Sequence, residues 1–148
     1  MKSYLFKINL SLLLLLVASF SFAQSSDELS FEKTTQKFMK VDEGHQITLT
    51  YNFTYTGQVD LKITPPKVDC SCTEVVLPEN YIKPNSTNSI KIEFNTADKI
   101  GWQERDVVLH FTSDLMDSRT IEKKLTFKGM VKASKATKAA YKANKKKR

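Results

Sequence analysis

The stretch that most restricts the fold is QITLTYNFTY, residues 46–55. Ile47, Leu49, Tyr51, Phe53 and Tyr55 alternate there with Thr48, Thr50, Asn52 and Thr54. A period of two places every apolar side chain on one face of an extended strand and every hydroxyl or amide on the other. Such a segment needs an apolar partner for one face only, which excludes a helix and predicts a sheet with one wet side.

Three further runs repeat the pattern: SIKIEF (Ile90, Ile92 and Phe94 inward), VVLHF (Val107, Leu109, Phe111) and KLTFKGMV (Leu125 and Phe127, then Val131 after a bulge expected at Gly129). Shorter strands are expected at Leu29 to Phe31, Phe38 to Val41, Leu61 to Ile63 and Thr73 to Val76. Gly44, Gly57 and Gly101 fall between these runs, and Pro65, Pro66, Pro78 and Pro84 fall in loops, where a missing N–H costs no ladder bond. No part of the body sustains a 3.6-residue apolar period. The expected fold is all-β, an immunoglobulin-like Greek-key sandwich of about seven strands.

The two ends differ from this body. Lys2 and Lys7 precede an apolar run from Ile8 to Ala18, and Ser21 and Ala23 put small residues at the −3 and −1 positions of a cleavage site. That pattern predicts a secretory signal peptide over 1–23, and therefore a periplasmic or extracellular protein. The run is shorter than the roughly 18 to 20 residues that span a bilayer, so no transmembrane segment is expected in the mature chain. At the other end, residues 133–148 carry Lys135, Lys138, Lys142, Lys145, Lys146, Lys147 and Arg148 with no acid. Of 23 basic residues, 2 lie in the leader and 8 from Val131 onward, leaving 13 against all 16 acids, so the body is near −3 although the whole chain is +7. The tail is read as disordered or partly helical, since Lys and Ala favour helix but supply no apolar face. Two readings stay open for it: a solvating tail, or a contact to a polyanion such as lipopolysaccharide or an acidic envelope polymer. Nucleic acid is not expected, because lone Tyr141 gives no stacking series.

Short motifs in order along residues 29–132 carry a family likeness. They are Phe38-Met39-Lys40-Val41 then Glu43-Gly44, Tyr55-Thr56-Gly57 then Asp60-Leu61-Lys62-Ile63, Cys70-Ser71-Cys72-Thr73, Ile82-Lys83-Pro84-Asn85, and Leu125 to Val131 around Gly129. The chain resembles the bacterial exported family called domain of unknown function 1573, similar to domains of cilia and centrosome proteins. Family glycines are replaced by Met39, Ser71 and Asn85. Asn tolerates a left-handed backbone, so Asn85 keeps its turn. The resemblance implies an immunoglobulin-like sandwich over 24–132 and an exported location. The family has no established activity.

The only cysteines, Cys70 and Cys72, are two positions apart. In an extended strand their Cα atoms would stand roughly 6.5 to 7 Å apart, at the limit for a disulfide, so a bond between them needs a bent backbone. Four readings stay open: two small part-buried side chains, a disulfide without further function, a redox or partner-linking thiol pair, and a Cu(I) or Zn site. A metal would need more ligands, for which His45, His110, Met39, Met116 and Met130 are the candidates. No resident cofactor is otherwise expected.

Enzyme signatures are missing: there is no nucleophile elbow, phosphate loop or zinc-protease motif. Asp42-Glu43, Glu104 with Asp106, and Asp114 with Asp117 read as solvated turn and strand acids. The expectation is a monomeric, non-catalytic binding or scaffolding module with an envelope protein or anionic polymer as partner. The alternative is a thiol-redox or copper-handling protein using Cys70 and Cys72.

Overall fold

The computed structural model describes residues 27–68, 70–78, 81–114 and 120–145. The signal peptide expected over 1–23, Met116, Asp117, Lys146, Lys147 and Arg148 lie outside them. The strands are β1 (Leu29–Phe31), β2 (Thr35–Lys37), β3 (Val41–Asp42), β4 (Gln46–Tyr55), β5 (Lys62–Thr64), β6 (Thr73–Val76), β7 (Ser86–Asn95), β8 (Gly101–Thr112) and β9 (Thr120–Lys132), followed by helix α1 (Lys135–Lys145). One sheet has the order β1-β4-β7-β6; the other runs β2-β9-β8-β5, with β3 also on β9. This is the expected sandwich. The nine strand segments among the described residues reduce to about seven, because β1, β2 and β3 are one edge strand in three pieces that crosses from the first sheet to the second.

The period-two runs form the inner faces. Leu49, Tyr51, Phe53 and Tyr55 of β4 meet Ile90, Ile92 and Phe94 of β7 on one side, and Val107, Leu109, Phe111, Leu125 and Phe127 close the core from the other. Rings interlock across the gap: Phe53 and Phe111 are edge-to-face at 5.8 Å, and Phe94 and Phe127 lie 5.1 Å apart. Tyr51 sends its hydroxyl across to donate to the Thr126 carbonyl oxygen at 2.7 Å, which satisfies the one polar atom of a buried ring. Burial pushes that phenol up to about 12.

Two local expectations need correction. Gly129 carries no bulge: it pairs regularly with Gln103 in an unbroken ladder and faces inward with Leu125, Phe127 and Val131. The extra residue lies on the neighbouring strand, where Lys37 to Val41 spans four steps while their partners Lys128 to Val131 span three. Phe38–Val41 is accordingly not one strand; Phe38 turns inward instead. Its ring fills the space a side chain at Gly129 would need, since a Cβ there would stand 2.5 Å from Phe38 Cδ2. The tail, read as disordered or partly helical, is helical from Lys135 to Lys145. Asn85 does take the left-handed conformation, at φ 54°.

Gly129→Ala should therefore cost about 1–3 kcal/mol of stability through overpacking. In a double-mutant cycle with Phe38→Ala, read by denaturant unfolding, the two costs should be far from additive. Additive costs would show that the ring does not fill the glycine's place.

Candidate functional site: a basic helix and a bridged cysteine turn at one end of the sandwich

One end of the sandwich gathers the β3–β4 turn, the β7–β8 turn, the cysteine segment and α1. Thr96, fully buried, holds the first two together: its N–H donates to the His45 carbonyl at 3.0 Å and its hydroxyl to the same oxygen at 2.8 Å. The preceding Asn95 N–H donates to the Cys72 carbonyl at 2.8 Å, which brings the cysteine segment to the same place.

Cys70 and Cys72 form a disulfide. The backbone is bent, not extended: Thr73 N–H donates to the Cys70 carbonyl at 3.2 Å, a turn that brings the two Cα atoms to 5.2 Å. The 6.5 to 7 Å separation expected of a strand does not apply, because β6 begins only at Thr73. The Thr73 hydroxyl, on a buried residue, lies 3.8 Å from Cys70 Sγ and 3.9 Å from Cys72 Sγ. Cys72 packs against the core, and both cysteines are half-buried.

The two histidines do not converge with the cysteines. His45 Nδ1 lies 3.0 Å from the Asp42 carbonyl oxygen within its own turn. His110 is on the outer face of β8, 4.0 Å from Glu122. Among the described residues no three His, Cys, Asp or Glu side chains gather as a metal site.

The helix is held by a residue that the sequence marked only as a turn acid. Ser134 caps α1, its Oγ accepting from the Thr137 N–H at 3.1 Å. In a capping box an acid at the third helical position would reach back to the cap's own N–H; here that position is Thr137. Glu43, from the β3–β4 turn, supplies the missing carboxylate. It accepts from the Ser134 N–H at 2.7 Å, the Thr137 hydroxyl at 2.6 Å and the Asp98 N–H at 3.2 Å. Its negative charge also suits the positive end of the helix dipole. These bonds, the Thr137 hydroxyl foremost, hold the Glu43 carboxyl below its ordinary value of 4.5.

The remaining helix is presented to solvent. None of its residues is buried, and Ala136, Ala140 and Tyr141 flank a shallow groove against Asp98 and Ile100. Among the described residues, no acid pairs with Lys135, Lys138, Lys142 or Lys145. Lys132, by contrast, is paired with Asp42 at 3.1 Å. Among the described residues no helix is long and apolar enough to cross a membrane.

A family model for proteins of unknown function, DUF1573, matches residues 29–131. The chain belongs to this family. The DUF1573 match runs from the first residue of β1 almost to the end of β9, so α1 lies beyond it. No curated protein matches the chain. Solved structures with this fold include the ASH/PapD-like domain 7 of human CEP192, at TM-score 0.60 and 9% identity, covering 73% of this chain and 87% of that one. The periplasmic chaperone SfaE matches at TM-score 0.52 and 9% identity, covering 70% of this chain and 58% of that one. The YadV chaperone matches at TM-score 0.52 and 11% identity, over 73% and 54%. The DUF1573 chain thus spans little more than half of these chaperones and shares their fold.

Two predictions follow from this geometry. Because the carboxyl of Glu43 titrates lower in the folded protein, its contribution is fully present above about pH 4.5 and is lost as pH falls through the lower folded value. The 13Cα secondary shifts of Lys135–Lys145 should therefore move toward coil on acidification, and in Glu43→Gln they should be weaker already at neutral pH. Helical shifts indifferent to both changes would remove Glu43 as the latch. For the disulfide, a ring closing over one intervening residue constrains the unfolded chain little. Reduction should lower stability by no more than about 1–2 kcal/mol in denaturant melts; a much larger loss would make the bridge a structural staple.

Proposed function

We propose that this protein is an exported, non-catalytic binding module of the bacterial cell envelope, anchored to an anionic partner through its C-terminal helix. The observation that carries this reading is the docking of α1. A lysine-rich segment with no core of its own is held through Glu43 against a sandwich, with four lysines left unpaired by acids among the described residues. Holding the cations on one short rigid element lowers the entropy lost when they meet a charged surface. The leader-like residues 1–23 support export, and the mildly acidic body confines the attraction to one end. The envelope also suits a disulfide between Cys70 and Cys72, since such bonds persist in oxidising compartments.

A soluble polyanion tests the reading. The chain from Gln24 onward, which keeps every described residue, should be retained on immobilised heparin. It should elute earlier as salt rises, because screening shortens the reach of each charge to about 10 Å near 0.1 M. A chain ending at Ala133 should pass through unretained with its sandwich intact by near-UV circular dichroism. Equal retention of the two chains would end the proposal.

A second reading rests on the disulfide itself. The bridge lies in a half-buried turn at the molecular surface, where a thiol reductant of the envelope could reach it. Equilibration with glutathione buffers should then show a reversible couple that Cys70→Ser abolishes. A bridge that stays oxidised across all accessible buffers would leave it without a redox role.

A further inference from the structure

The end of the sandwich that carries α1 also exposes apolar side chains that the core does not use. Trp102, 55% exposed, and Met130, 38% exposed, are cross-strand partners on the outer face of the second sheet. Met39, 85% exposed, lies in the stretch that holds the extra residue, level with Met130 because Lys37 is opposite Lys128 and Val41 opposite Val131. Trp102 follows Ile100 by two residues, and Ile100 lines the groove beneath Ala136, Ala140 and Tyr141 of α1. Tyr141 is itself 56% exposed. An indole and two thioethers left in water here contrast with the rest of that face, which is mostly charged or hydroxylated from Glu104 and Asp106 to Lys124 and Thr126.

The charges of this end are sorted. Asp42 is paired with Lys132, Glu104 with Lys128 and the Trp102 Nε1–H, and Glu43 with the helix start. Asp98 is the remaining acid of the two turns. Against it stand Lys40, Lys99, Lys135, Lys138, Lys142 and Lys145, for none of which an acid partner exists among the described residues.

We propose that this end of the molecule docks on a bilayer surface with anionic headgroups: the α1 lysines contact the headgroups while Trp102, Met39 and Met130 enter the interfacial layer. The proposal rests on α1 as a polyanion contact and narrows the partner to lipid. The apolar cluster decides the narrowing. An acidic polymer in water satisfies lysines and leaves an indole where it was, whereas the headgroup layer takes both, an amphipathic ring at its own depth and lysine stems along the boundary. Each lysine near such a surface contributes independently, so several weak cations and one ring together make a reversible attachment.

Trp102 is the only tryptophan of the chain and reports on its own environment. The chain from Gln24 onward is titrated with equimolar phosphatidylglycerol and phosphatidylcholine vesicles, and with phosphatidylcholine alone. Its emission should shift to shorter wavelength with the first and not the second, and the shift should reverse on adding salt. In co-sedimentation, Trp102→Ala should bind the anionic vesicles roughly tenfold more weakly. Changing Lys135, Lys138, Lys142 and Lys145 together to Gln should weaken binding by roughly a hundredfold or more. Vesicle binding with an unmoved spectrum and no effect of Trp102→Ala would overturn the insertion, as would equal binding to neutral vesicles. Retention on heparin without vesicle binding would overturn the lipid assignment, pointing to a soluble acidic partner, while leaving the polyanion reading in place. Failure on both probes would remove both.

Discussion

Every other feature of this protein depends on the ring-to-ring contact between the two sheets. Phe53 and Phe94 come from one inner face, Phe111 and Phe127 from the other, and they meet at centroid distances of 5.8 and 5.1 Å. A buried phenylalanine contributes about 1.5–3 kcal/mol by burial alone, with about 0.5–1.5 kcal/mol more for a well-oriented aromatic pair. The edge strand conforms to this packing. Phe31 stacks on Phe53 at 5.0 Å from within β1, and Phe38 reaches Phe94 at 6.0 Å after the chain has crossed to the other sheet. The crossing lets one strand seal two sheets, and the extra residue between Lys37 and Val41 lets Phe38 face inward over Gly129.

That packing leaves the turns at one end to be tied by polar contacts. Thr96 ties the β3–β4 turn to the β7–β8 turn, and Glu43 then ties both to the start of α1. An 11-residue helix rich in lysine is too short and too polar to persist alone in water. Its presence on the sandwich follows from a cap completed by a carboxylate some ninety residues earlier in the chain, a long-range contact performing a local role. The same end displays the Trp102, Met130 and Met39 side chains, so one end of the molecule carries both fixed cations and exposed apolar surface.

The cysteine turn illustrates a different relation between sequence and structure. Two residues of spacing permit a bond only where the strand has not yet begun, and the Cys70–Thr73 turn provides that place. Thr73 then sits under both sulfurs as the first residue of β6. Solved structures sharing this sandwich do so at about one residue in ten, so the architecture is common to them and the bridged turn, the latch and the helix must be argued from this chain's own side chains.

The sequence by itself determined the alternation of β4, β7, β8 and β9, and with it the two-sheet fold, because side-chain period is a local property and burial of one face follows from it. It also marked β1 and β6 to the residue, left-handed Asn85, and the separation of an acidic body from a basic tail. Tertiary structure alone decided the rest. Gly129 looked like a bulge until Phe38 was seen to occupy its missing side chain, and Glu43 looked like a solvated turn acid until the helix was seen to begin on it. Trp102 showed no signal in the pattern, since alternation places it outward but does not say which surface lies beside it. Each of these turns on residues distant in sequence and adjacent in space, and only the packing of the two sheets brings them together.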